Sequence, residues 1–259
     1  MSQHRARKRF GQNFLTDTSI VRQIADRYHN IEQTIVEIGP GRGALTEALL
    51  DSGSKVIALE LDRDLIPLLQ RQFGPRSNFE LHQGDALKFD WSSLSADSPL
   101  RIVGNLPYNI ATPLIFNLLD HLDIVRDMQF MLQWEVVSRL CASPGSKHYG
   151  QLSVVVQNLC DTSALFEVPA TAFSPAPKVT SGVVQLIPRQ RSLVDPALHA
   201  EFNHLVKCAF AQRRKTLRNN LKGLLSNEQI SACGIDPGQR AETLGIEHFK
   251  ALTEVFDSN

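Results

Sequence analysis

Through the first two-thirds of the chain, short runs of β-branched and aliphatic residues alternate with amphipathic stretches, and glycine, asparagine or proline separates them. Thr34-Ile35-Val36-Glu37-Ile38 is a run suited to a buried strand, stopped by Gly39-Pro40-Gly41, and residues 44–50 then take helical spacing. Residues 55–59 predict a second strand, followed by a helix over about 64–72. Three more strands are expected at 79–82, 100–104 and 128–132, with a helix over 113–119 between the last two. Strands separated by helical patterns of about 10–15 residues imply an α/β fold with a mostly parallel, doubly wound sheet. Residues 163–168 and 180–188 read as a strand pair that adds an antiparallel edge. From Asp195 onward the pattern is helical only, broken at Ser226-Asn227 and Asp236-Pro237-Gly238. A boundary near 188–195 divides the chain into a domain over 1–190 and a small all-helical C-terminal domain over 191–259.

Composition narrows this picture. With 259 residues, 42% hydrophobic and 21% charged, the chain has the make-up of an ordinary globular protein. No apolar run approaches the roughly 18 residues that span a bilayer, and no apolar signal core follows the basic N-terminus. A cytoplasmic protein without a membrane partner is expected. Cys141, Cys160, Cys208 and Cys233 form no C-x-x-C pair and have no local histidine cluster, so free thiols rather than a metal site are expected.

The formal net charge is zero, yet its distribution is uneven. Arg5, Arg7, Lys8 and Arg9 crowd the N-terminus. Lys207, Arg213, Arg214, Lys215, Arg218 and Lys222 form a second cluster, with no acid between Phe202 and Asn227. Two local basic regions fit a bounded footprint on a polyanion, and a solvated helical face is the other reading of the second.

Glu37-Ile38-Gly39-Pro40-Gly41-Arg42-Gly43 lies at a strand-to-helix turn. Glycines there let the backbone turn sharply and approach a ligand, and the following helix offers free N–H groups. Gly39, Gly41 and Ala44 also fit the pattern of dinucleotide enzymes. Glu60 ends the second strand, where a carboxylate can accept both hydroxyls of a ribose; taken alone it is equally a solvated charge. Asp85 ends the third strand, as an acceptor for an adenine amine or as a helix cap. Gly, Glu and Asp at three consecutive strand ends outline a nucleoside-shaped pocket. This pattern resembles class I S-adenosylmethionine methyltransferases, a Rossmann-like fold.

Asn105-Leu106-Pro107-Tyr108 follows the fourth strand at the same edge. In isolation it is a strand-terminating turn. Beside a nucleoside pocket it is similar to the catalytic motif of methyltransferases acting on exocyclic amines of bases. Such an amine has its lone pair delocalised into the ring and is a poor nucleophile. Acceptors at the Asn105 side-chain oxygen and the Leu106 carbonyl favour a pyramidal nitrogen as positive charge develops. Pro107 stiffens the turn, and Tyr108 offers a face on which an extruded base stacks. Phe173, in the proline-rich loop 172–179, is a candidate second wall for the base or a core residue, and Lys178 is within reach of a phosphate.

Taken together, almost the whole sequence resembles the ribosomal RNA adenine dimethyltransferase family, most closely its branch acting on 16S rRNA. The resemblance runs through Arg9-Phe10-Gly11-Gln12-Asn13-Phe14-Leu15, Val36-Glu37-Ile38-Gly39-Pro40-Gly41, Glu60-Leu61-Asp62-Arg63-Asp64 and Gly104-Asn105-Leu106-Pro107-Tyr108-Asn109-Ile110. It continues through Tyr149-Gly150-Gln151-Leu152-Ser153, the Phe173 loop, Ala209-Phe210-Ala211-Gln212-Arg213-Arg214-Lys215-Thr216-Leu217 and Arg240-Ala241-Glu242. It implies S-adenosylmethionine as cofactor, held by Asn13, Leu15, Gly39, Gly41, Glu60, Asp85 and Asn105. It also implies dimethylation of two adjacent adenosines in the 3′-terminal hairpin of 16S rRNA, within a partly assembled small subunit. The C-terminal helices would dock on RNA through Arg213, Arg214 and Lys215, and nothing demands an oligomer. Trp134 stands where this family usually has lysine, which leaves it to stack on RNA or to pack against a neighbouring helix.

Three other readings compete. One is the sister group that dimethylates a 23S rRNA adenine and is generally more basic. Another is a mitochondrial transcription-factor relative that binds nucleic acid without catalysis. The last is an NAD-dependent oxidoreductase, which the glycines alone permit.

Overall fold

The computed structural model describes residues 13–28, 33–94, 99–107 and 109–258. Arg5, Arg7, Lys8, Arg9 and Tyr108 lie outside the described residues. Among the described residues the elements begin with β1 (Phe14–Leu15), α1 (Thr18–Ala25), β2 (Thr34–Ile38), α2 (Ala44–Asp51), β3 (Lys55–Glu60), α3 (Ile66–Phe73) and β4 (Phe79–Gln83). It continues through β5 (Leu100–Asn105), α4 (Ala111–Leu119), β6 (Val125–Gln133), α5 (Trp134–Leu140), α6 (Gln151–Leu159), β7 (Cys160–Val168), β8 (Phe173–Ser174) and β9 (Ser181–Pro188).

Seven strands form one sheet in the order β4-β3-β2-β5-β6-β9-β7. The first five are parallel; β9 runs antiparallel to β6, from Met128 opposite Leu186 to Gln133 opposite Ser181. This is the doubly wound, mostly parallel sheet with an antiparallel edge that the periodicity predicts. The chain steps outward from β2 to β4 and returns to β5 on the other side of β2, so the strand order reverses between β2 and β5. In such sheets the carboxyl ends of the strands open into a crevice at this reversal.

Local chemistry explains these elements. Ile35, Val36, Val56, Ala58, Ile102 and Val103 are each fully buried. Near-continuous apolar runs of this kind belong to parallel strands covered on both faces. Asp17 caps α1, accepting from the Ser19 N–H at 2.8 Å, and α1 turns Val21, Ile24 and Ala25 inward. Gly43 begins α2 at φ 84°, and a Cβ there would fall 2.4 Å from the Phe73 ring of α3. Glycine is therefore required twice, for the left-handed turn and for the close approach of α3.

Two compact units emerge. The first comprises the described residues up to Val137 together with Ser163–Pro188; the second comprises Ser138–Thr162 with the described residues from Arg189 onward. The second contains α6 and the C-terminal helices α7 (His199–Ala209), α8 (Leu217–Asn220), α9 (Asn227–Ala232) and α10 (Ile246–Asp257). The expected break at Ser226-Asn227 is a helix start: Ser226 and Gln229 exchange side-chain-to-backbone bonds of 3.2 and 2.8 Å, a capping box. Phe202, Leu205, Val206, Phe249 and Leu252 are fully buried. At about 1.5–3 kcal/mol per buried large apolar side chain, this cluster is a substantial core for short helices. Among the described residues no helix is long and apolar enough to cross a membrane.

Candidate active site

A cavity of about 220 Å³ opens where the strand order reverses, lined entirely by residues of the first unit. Its walls come from the turns after β2, β3, β4 and β5 and from the β1–β8 ribbon.

The β2 turn is built for close approach. Gly39 and Gly41 adopt φ 68° and 60°, and a Cβ on Gly39 would meet nothing within 4 Å. Both line the cavity; Gly39 leaves open space where a Cβ would stand, whereas the Phe14 ring closes over that position at Gly41. The Gly39 N–H donates to the Leu59 carbonyl at 2.9 Å, tying this turn to the end of β3.

Glu60 is the last residue of that strand and is buried. Its Oε2 accepts from the Gly41 N–H at 3.2 Å and its Oε1 from the Asp62 N–H at 2.8 Å. Burial pushes its pKa up, while these N–H groups oppose the shift and the Asp62 charge adds to it. Each oxygen keeps a further lone pair, enough to accept two vicinal hydroxyls. Asp85 lines the same cavity from the turn after β4, where its Oδ1 accepts from the Leu87 N–H at 3.0 Å. It thus stabilises a local turn and faces the cavity together.

On the other side of the reversal, Asn105 ends β5 opposite Met131 of β6. Its Nδ2 donates to the Asn13 carbonyl at 2.9 Å. With the amide's donor end so engaged, Oδ1 is its free acceptor. The Leu106 N–H donates to the Met131 carbonyl at 3.1 Å, and among the described residues nothing donates to the Leu106 carbonyl. Pro107 continues the wall, and its carbonyl accepts from the Ile110 N–H at 3.1 Å.

The β1–β8 ribbon closes the site. Leu15 pairs with Phe173 and Phe14 with Ser174, and Asn13, Phe14, Leu15 and Phe173 all line the cavity. The Phe14 ring lies 3.1 Å from where a Gly41 Cβ would stand, and the Arg42 guanidinium sits 4.6 Å from its centroid. The structure thus gathers Asn13, Leu15, Gly39, Gly41, Glu60, Asp85, Asn105, Leu106, Pro107 and Phe173 around one space. Lys178 is exposed and is not part of the lining.

Within the second unit, Arg213 donates from Nε to Glu242 Oε2 at 2.8 Å and from a terminal nitrogen to the Lys147 carbonyl. Arg214, Lys215, Arg218 and Lys222 are exposed, with no ion pair among the described residues.

Three lining residues escape the sequence reading. Glu37 belongs to the glycine motif, and its strand setting gives no sign of a role of its own. It is 2% exposed and accepts from Thr46 Oγ1 at 2.6 Å; burial pushes its pKa to about 7, against the Thr46 bond and with help from the Glu60 charge. Phe14 reads as an ordinary apolar residue. Gln129 interrupts an apolar strand, the one signal that marks it. Within the first unit the Trp134 ring lies against β9, 2.4 Å from where a Gly182 Cβ would be.

Comparisons with known proteins extend the geometry. The chain is 54% identical over 255 residues to the ribosomal RNA small subunit methyltransferase A of Pseudomonas aeruginosa, covering 96% of this chain and 94% of that one. It is 51% identical over 257 residues to the protein of the same name in Aromatoleum aromaticum, covering 98% and 95%. Among solved structures, a Plasmodium falciparum dimethyladenosine transferase superposes with a TM-score of 0.77 at 25% identity, covering 95% of this chain and 98% of that one. The 23S rRNA methyltransferase ErmE shares the fold, with a TM-score of 0.75 at 23% identity over 95% of this chain and 100% of that one. The family described as ribosomal RNA adenine dimethylase matches residues 3–258. By sequence along its whole length and by fold, the chain belongs to the S-adenosylmethionine-dependent ribosomal RNA adenine dimethylase family.

Proposed function

We propose that this protein dimethylates the N6 amines of two adjacent adenosines in the 3′-terminal hairpin of 16S rRNA. It acts as a cytoplasmic monomer on a partly assembled small subunit. The observation that carries the reading is the Asn105 amide, turned by the Asn13 carbonyl so that Oδ1 is left as an acceptor beside the cavity. The small-subunit assignment draws support from relatives that bear that name.

The residues present fit the cofactor. Bare backbone at Gly39 and Gly41, a buried carboxylate at Glu60 with lone pairs to spare, and Asp85 beyond it suit a nucleoside. Asn13 and Leu15 complete the holding set from β1. S-adenosylmethionine, when bound, supplies a methyl on a positively charged sulfur. Asn105 Oδ1 and the Leu106 carbonyl accept the two N–H bonds of the adenine amine, favour its pyramidal form and stabilise the growing positive charge. Pro107 keeps the pair of acceptors rigid. Tyr108 and Phe173 sandwich the extruded base. The alkylated nitrogen is acidic and releases its proton to water, so no strong general base is needed.

The first unit is the catalytic part, and the helical second unit, to which Ser138–Thr162 also belongs, docks on RNA. Arg213, Arg214 and Lys215 meet the RNA there, and Lys178 meets a phosphate near the base. The test offers unmethylated small subunits and large-subunit precursors in parallel and maps dimethyladenosine by mass spectrometry. Two adjacent dimethyladenosines near the 16S 3′ end are expected; modification confined to large-subunit RNA would sink the assignment.

A further inference from the structure

The charged groups around the cavity are almost all of one sign. Glu37, Glu60, Asp62 and Asp85 bring four carboxyl groups to its lining, and Arg42 is the one cation there among the described residues. The methyl donor is mixed in charge. Its sulfonium and its ammonium suit such a lining, whereas its single carboxylate does not. A carboxylate entering among carboxyl groups is repelled unless a cation meets it.

The turns around the cavity say where that cation must stand. Asp85 and Glu60, at the ends of β4 and β3, suit the nucleoside, and Asn105 at the end of β5 is assigned to the reacting amine. What remains for the amino-acid tail of the donor is the turn after β2 and the β1 segment laid against it. Arg42 lies in that turn, between Gly41 at φ 60° and Gly43 at φ 84°. It is exposed, so its side chain is open to an incoming group. Its guanidinium sits 4.6 Å from the centroid of the Phe14 ring, and that ring closes over Gly41. Phe14 is a fixed support, 7% exposed and paired with Ser174 in the β1–β8 ribbon. A guanidinium resting on an aromatic face is attracted by the ring, which holds the arm near the turn rather than spread through solvent. Its N–H groups form a fork that matches the two oxygens of a carboxylate.

We propose that Arg42 binds the carboxylate of the donor's amino-acid tail, so that an otherwise acidic cavity accepts a zwitterionic tail. This deepens the cofactor assignment above and rests on it. Spent donor keeps the carboxylate, so Arg42 serves the affinity for donor and product alike and leaves the transfer step to Asn105 and Leu106.

The test is calorimetry of wild type, Arg42→Leu and Arg42→Lys with three ligands: S-adenosylmethionine, S-adenosylhomocysteine and decarboxylated S-adenosylmethionine. The last keeps both positive charges and lacks the carboxylate. Arg42→Leu is expected to lose about tenfold in affinity for the first two and nothing for the third, the non-additivity of a shared contact. Its turnover at saturating donor should match the wild type. Arg42→Lys keeps the charge without the fork and should fall between; it carries the comparison if Arg42→Leu does not fold. Equal losses for all three ligands, or no loss for any, overturn the proposal. So does a loss confined to affinity for small-subunit particles, which would give Arg42 to an RNA phosphate. Wild type that binds neither donor nor product overturns the cofactor assignment and this proposal with it.

Discussion

The side-chain amide of Asn105 donates to the main-chain carbonyl of Asn13 across 2.9 Å, and this bond decides which end of the amide is left for the cavity. An amide has one donor end and one acceptor end, so engaging the donor presents the acceptor. Asn105→Ala is expected to lower methyl transfer by about 10²–10³, the usual effect of removing one transition-state hydrogen-bond partner. Asn105→Asp is expected to do no better, because a carboxylate oxygen then faces the Asn13 carbonyl. Cofactor affinity, measured by calorimetry, should change little in both. An equal loss of affinity and turnover would assign Asn105 to holding the cofactor instead.

Glu37 makes stability depend on pH. Its folded pKa of about 7 lies above the ordinary 4.5, chiefly through burial. Between these values the native chain holds a proton that the unfolded chain has released, so stability falls as pH rises through that window and stays lowered above it. Glu37→Gln removes this term. Its melting temperature relative to wild type should rise from pH 5 to pH 8, by the equivalent of up to about 3 kcal/mol. A difference that is flat with pH would mean that Glu37 is ionised throughout.

Trp134 and Gly182 are a steric pair. A Cβ at 182 would lie 2.4 Å from the indole and 3.4 Å from the Phe166 carbonyl. Gly182→Ala is expected to destabilise the protein by about 1–3 kcal/mol through overpacking. In a Trp134→Lys background most of that cost should vanish, since a flexible side chain can move aside. Denaturant unfolding of the four variants reads the coupling, and additive effects would show that the Phe166 carbonyl is the obstacle.

The basic cluster divides by its bonds. All three are exposed, but Arg213 is held by Glu242 and the Lys147 carbonyl, whereas Arg214 and Lys215 have no ion pair among the described residues. Replacing Arg214 and Lys215 with Ala should flatten the salt dependence of RNA binding by about 0.7–0.9 log units per charge and leave the melting temperature alone. Arg213→Ala should lower the melting temperature as well. An unchanged salt slope for the double variant would make those charges a solvated face.

The sheet was legible because β2, β3 and β5 carry near-continuous apolar runs and each of β2 to β5 ends at or just before a turn. Gly39, Glu60, Asp85 and Asn105 could be aligned because each stands at or just after such an end. The ribbon of β1 and β8 was not legible: two residues per strand set up no period, and Asn13 and Leu15 were reached through resemblance alone. Helices α5 and α6 were missed for different reasons. Trp134 starts α5 directly after Gln133 with no breaker. The Val154-Val155-Val156 run of α6 favours a strand locally, and α6 passes into β7 at Cys160 without a turn. Tertiary burial overrides propensity there, as Leu152 to Val156 are all buried.

Three consecutive residues of the β1 segment act on different parts of the site. The Asn13 carbonyl accepts from the Asn105 amide, Phe14 covers the glycine turn, and Leu15 is paired with Phe173. Four methyl transfers consume four donor molecules, so spent donor must leave and fresh donor enter between them. The carbonyl that receives the Asn105 amide belongs to the peptide unit joining Asn13 to Phe14, so a displacement of Phe14 is felt at that hydrogen bond. Cover over the glycine turn and aim of the Asn105 amide are joined by a single peptide unit.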